Sequence, residues 1–70
     1  MNWIETPESS NITRIGYDMS SQILGVEFKT GSVYHYYDVP EPVFEQMKAA
    51  GSKGQFLAQS IKGTYRYARI

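Results

Sequence analysis

The chain contains no cysteine, one histidine, one tryptophan and only three prolines among its 70 residues. Without cysteine there is no disulfide and no thiolate metal site, so nothing covalent staples a fold of this size. A single histidine becomes a metal ligand or a catalytic base only with partners beside it. Also lacking are an apolar run near the ~20 residues that span a bilayer and a basic segment leading into an apolar block. The expectation is a cytoplasmic protein with no membrane association, no metal and no cofactor. A chain so short makes one domain, held by a dense apolar core, by a second copy of itself, or by both.

Charge is balanced in number but not in position, with seven acids and seven bases. Residues 1–45 hold all seven acids against two bases, Arg14 and Lys29, a net of −5. Residues 46–70 hold Lys48, Lys53, Lys62, Arg66 and Arg69 and no acid, a net of +5. Such asymmetry marks either a footprint for an anionic partner or two halves that neutralise each other in the fold or across a dimer.

Residues 1–8 carry Trp3 and Ile4 among polar residues and end in a Thr6-Pro7 break, which predicts a flexible segment before a single domain at 9–70. Ile12 to Asp18 alternates, with Thr13, Ile15 and Tyr17 on one face and Ile12, Arg14 and Gly16 on the other. Gln22 to Lys29 alternates more cleanly, with Leu24, Val26 and Phe28 on one side. After a turn at Gly31, Val33 to Asp38 returns with Tyr34 and Tyr36 on one face and Val33, His35 and Tyr37 on the other. Val39-Pro40 ends the sheet, and Glu41-Pro42 suits the first turn of a helix whose stripe is Val43, Phe44, Met47 and Ala50, closed by Gly51. Ser52-Lys53-Gly54-Gln55 has the form of a capping box and begins a second helix with the stripe Phe56, Leu57 and Ile61, closed by Lys62-Gly63. Thr64 to Ile70 alternates once more. The fold class is α+β: a three-stranded antiparallel meander, two short helices packed on one face, and a possible short C-terminal strand.

Ser10-Asn11-Ile12, Ile15-Gly16-Tyr17-Asp18, Leu24-x-Val26-x-Phe28, Gly31-Ser32-Val33-Tyr34-x-Tyr36, Val39-Pro40, Ala50 with Ser52-x-Gly54, and Ile61 with Tyr65-x-Tyr67 follow one another at a spacing that resembles the KTSC domain. The likeness covers residues 9 to 70 and centres on Tyr34, Tyr36, Val39 and Pro40. That family is named for its place at the C-terminus of some lysyl-tRNA synthetases and also occurs as small stand-alone bacterial and phage proteins. The resemblance implies a small accessory module whose association with a tRNA-charging enzyme suggests RNA as the ligand. Similar sequences tend to carry an asparagine soon after the Phe56-Leu57 pair, where Ala58 stands here.

Within the basic C-terminal run, Tyr65 and Tyr67 interleave with Arg66 and Arg69 and follow Lys62. Aromatic rings for unpaired bases and cations for phosphates are the composition of a nucleic-acid face. Lys53, at a helix start, adds a possible anion contact, the competing reading being a cap with a solvated lysine. Tyr34 and Tyr36 share a face and fit either a stacking platform or core packing under the helices. His35 reads as an exposed strand histidine; beside Arg14 or Lys29 it is the one enzymatic arrangement the composition still permits. The expectation is therefore a non-enzymatic module that binds RNA or tRNA through Lys53, Lys62, Tyr65, Arg66, Tyr67 and Arg69. The alternative is a protein-interaction module or homodimer, in which the C-terminal run augments a sheet edge.

Overall fold

A computed structural model describes residues 1–70. Five strands, β1 (Asn2–Glu5), β2 (Ile12–Asp18), β3 (Ile23–Phe28), β4 (Val33–Tyr36) and β5 (Tyr67–Arg69), form one antiparallel sheet in chain order. Between β4 and β5 run α1 (Glu41–Ala49) and α2 (Lys53–Phe56), and α2 continues directly into a π-helical turn, Leu57–Ile61. The α+β class and the β2–β3–β4 meander follow the hydrophobic alternation as expected. The possible short C-terminal strand is present as β5, and the sheet is one strand wider than expected because the N-terminal segment joins it as β1.

Residues 2–5, expected within a flexible segment, pair along β2 as an edge strand. The reason lies on the face away from the helices. Gly16 and Gly25 sit opposite each other across β2 and β3 and leave a trough in the sheet. Trp3 and Met1 fill it so closely that a Cβ on Gly25 would lie 2.6 Å from Met1 Sδ and 2.8 Å from Trp3 Cη2. The Arg14 guanidinium, ion-paired with Glu27, lies 4.6 Å from the centre of the Trp3 ring.

Two local departures from strict alternation reshape the core. A bulge between Ile12 and Arg14 absorbs one residue, so Ile12 pairs with Phe28 and is fully buried, although period-two counting assigns it to the other face. β4 stops at Tyr36, two residues before the expected Asp38, because Asp38 takes a left-handed φ of 60°. That reversal delivers Val39 into the core, where its carbonyl accepts the Tyr17 hydroxyl, and leaves Pro40 as the extended cap of α1. Burial pushes the Tyr17 phenol up from its usual value, with the charge of Glu41 adding to the effect, so it stays a donor.

The core is formed by Ile15, Tyr17, Leu24, Val26 and Tyr36 from the sheet against Phe44, Met47, Leu57 and Ile61 from the helical stripes. Tyr17 and Phe44 stack with ring centres 4.9 Å apart, tying β2 to α1. Ser52 caps α2 by accepting the Gln55 N–H at 3.2 Å, as the S-x-x-Q pattern predicts. Gly51 does not close α1: the helix ends one residue earlier, where Ala50 is extended and its N–H returns to the Met47 carbonyl. Gly31 and Gly63 both take positive φ, 94° and 80°, at the turns assigned to them.

Candidate functional site

β2 and β3 are more deeply buried than β4 and β5, and a groove of about 590 Å³ lies over the β4–β5 end of the sheet. Its floor comes from the strand register. Tyr36 pairs with Tyr67, and Tyr34 with Arg69, so three tyrosines from two strands share one surface. The Tyr67 ring centre lies 6.0 Å from Tyr34 and 5.7 Å from Tyr36, inclined to them by 47° and 38°. Phe28 adds an edge-on contact to Tyr34, with centres 5.7 Å apart. Thr30 and Ser32, from the β3–β4 turn, and Lys62 and Gly63, from the end of the helical segment, complete its lining.

The exposures within this cluster are graded. Tyr67 is 59% exposed, Tyr34 is half-buried, and Tyr36 is only 2% exposed. The Tyr36 hydroxyl makes no hydrogen bond within the chain, yet it is not sealed from solvent, so its free polar end opens on the groove. Burial, followed by the charged forms of Tyr34 and Tyr67, raises its pKa, which keeps it a neutral hydrogen-bond donor at ordinary pH. Lys62 leaves the end of the π-helical turn with its Nζ 5.9 Å from the Phe28 ring and forms no ion pair, which makes it the only charged group lining the groove.

The six residues assigned to nucleic-acid contact are thus only partly brought together. Lys62 and Tyr67 line the groove, and Arg69 follows on the same strand face, exposed and without an ion-pair partner. Arg66 points elsewhere, its guanidinium 5.1 Å from the Tyr37 ring and 3.7 Å from Asp38. Tyr65 is half-buried and packs against the core. Lys53 is tied down, donating to the Ala50 carbonyl at 3.0 Å and pairing with Glu8 at 3.1 Å, with its side chain 12% exposed. A backbone hydrogen bond first, and the Lys53 ammonium second, lower the Glu8 pKa. His35 faces Gly25 and Ala68 in the register and hydrogen-bonds to no side chain, while Arg14 is held by Glu27. Tyr36 belongs to the buried core and Tyr34 packs against it, so core packing holds for both, and both also line the groove.

Neutralisation accounts for much of the charge asymmetry. Three of the four ion pairs, Glu8–Lys53, Glu45–Lys48 and Asp38–Arg66, join the acidic part of the chain to the basic part. Lys62, Arg69 and Lys29 are the cations left without a carboxylate. The sequence alone assigns Phe28, Thr30 and Ser32 to no site. Their place in the groove follows from a hairpin beside Tyr67, a residue nearly 40 positions later in the chain.

Residues 8–65 match the KTSC domain family model. A lysine–tRNA ligase of Trichormus variabilis is 42% identical over 64 residues, which is 91% of this chain and 11% of that protein. The chain therefore spans about a tenth of the length of the ligases it matches. An uncharacterised protein of Stutzerimonas stutzeri is 42% identical and is matched over 90% of both chains. The crystal structure of a KTSC domain protein from Yersinia pestis superposes with a TM-score of 0.93 at 33% identity, covering 99% of this chain and 96% of that one.

Proposed function

Because the chain belongs to the KTSC domain family, we propose that it is a small non-enzymatic module that binds RNA through the aromatic groove and its basic rim. The observation that carries this reading is Lys62. It is an unpaired cation poised over a groove whose floor is Tyr34, Tyr36 and Tyr67. Aromatic faces suit unpaired bases, and an ammonium without a carboxylate suits a phosphate. Relatives that carry this segment are named lysine–tRNA ligases, so tRNA is the first RNA to test.

The test is binding of purified protein to bulk tRNA and to single-stranded RNA at two salt concentrations. Affinity should fall as salt rises, because each neutralised phosphate releases counterions. The double change Lys62→Glu/Arg69→Glu should abolish binding, whereas Arg66→Glu should weaken it less, since Arg66 is engaged with Tyr37 and Asp38. Absence of binding at low salt defeats the proposal.

A second reading, a protein-interaction module or homodimer, is favoured by one observation: β1 and β5 each have a single neighbour and so present an open edge. It predicts a mass that rises with concentration, measurable by sedimentation, and no salt-dependent RNA affinity.

A further inference from the structure

Resting on the RNA reading, we infer that the groove takes a single unpaired nucleotide, its base against the Tyr67 ring and its phosphate against Lys62. Three features of the groove point to that unit. First, about 590 Å³ falls in the ordinary range for one small ligand, ~300–1,000 Å³. Second, Tyr67 is 59% exposed and its ring is inclined by 38–47° to those of Tyr34 and Tyr36, so the three rings line the trough without forming one parallel stack. A duplex offers such a trough only base edges and backbone, whereas an unpaired base offers its face. Third, one cation lines the groove, enough for one phosphate.

The polar groups are placed for the edge of a base. The Tyr36 hydroxyl opens on the groove without a partner in the chain. Thr30 and Ser32 also line the groove, the one mutual contact of their hydroxyls a weak 3.5 Å. Neutral phenol and hydroxyl groups both donate and accept, so they pair with the mixed donors and acceptors of a base edge. The same chemistry is met by a nucleotide within an RNA strand or by a free nucleoside monophosphate.

The experiment titrates three probes into the intact protein: a short single-stranded oligoribonucleotide carrying 2-aminopurine, the same strand annealed to its complement, and free AMP. The expected result is quenched 2-aminopurine fluorescence and binding to the single strand at least tenfold tighter than to the duplex. Tyr67→Leu, which removes the ring but keeps an apolar side chain, should weaken that binding about tenfold. Lys62→Gln, on an exposed turn and so harmless to the fold, should weaken it and flatten its salt dependence. Binding of free AMP alone, lost in Tyr67→Leu, would support the nucleotide groove while defeating the RNA reading. RNA binding unchanged in both Tyr67→Leu and Lys62→Gln would overturn the groove as the site, leaving only RNA binding elsewhere on the molecule. No binding of any probe overturns both.

Discussion

Gly16 and Gly25 face each other across the centre of the sheet, where two side chains would normally pack. Their missing side chains are replaced by Trp3 of the edge strand and by Met1 just before it, so the pair acts as a socket. A single residue can test this. Gly25→Val should destabilise the domain by about 1–3 kcal/mol, the usual cost of overpacking, because its Cβ would meet Trp3 Cη2 at 2.8 Å. Denaturant unfolding measures the loss. In Trp3→Ala, which removes the ring from the socket and leaves Met1, the same change should cost less, and strictly additive losses would show that ring and glycine do not touch. This pairing is not legible from the sequence. Glycine in an alternating run reads only as a weak spot, and its partner is named by the register of two other strands. Lys53 shows the reverse case. Its position at a helix start suggests an anion site, but Glu8, distant in the sequence, already occupies it.

At the scale of elements, period-two and helical spacing locate β2, β3, β4, α1 and α2 because each pattern is carried by residues adjacent in the chain. What they miss is set elsewhere. The bulge at Ile12 is visible only against Phe28, and the end of β4 depends on a left-handed Asp38. β1 is the largest such case: four residues are too few to show alternation, and their strand forms because the glycine trough accepts Trp3. If β1 is an integral strand, removing residues 1–5 should cost about 2 kcal/mol or more, since burial of one aromatic side chain contributes ~1.5–3 kcal/mol. The melting temperature of the shortened chain should fall by several degrees. Thr6 stays, and with it the hydrogen bond of its hydroxyl to the Ile12 carbonyl, so the loss belongs to β1. An unchanged melting temperature would mean that the segment is a loose arm.

For the whole molecule, the core was largely readable and the groove was not, for one physical reason. Core membership follows from hydrophobicity and local period, whereas the groove exists only where β5 returns beside β4 and sets Tyr67 next to Tyr34 and Tyr36. Stability and binding should accordingly be separable. Val26 and Phe44 sit in the one apolar cluster that a chain of this length can build. Val26→Asp or Phe44→Asp places an unpaired carboxylate there, and a domain with a few kcal/mol of stability cannot absorb that penalty. Each variant should lose its cooperative melting transition and its near-ultraviolet circular dichroism. Tyr67, at 59% exposure, has little core to lose, so Tyr67→Leu should melt close to the parent. A Phe44→Asp variant that melts like the parent would mean that α1 is not packed on the sheet. The floor of the groove would then lack the support it takes from the helices, since Tyr36 belongs to both surfaces.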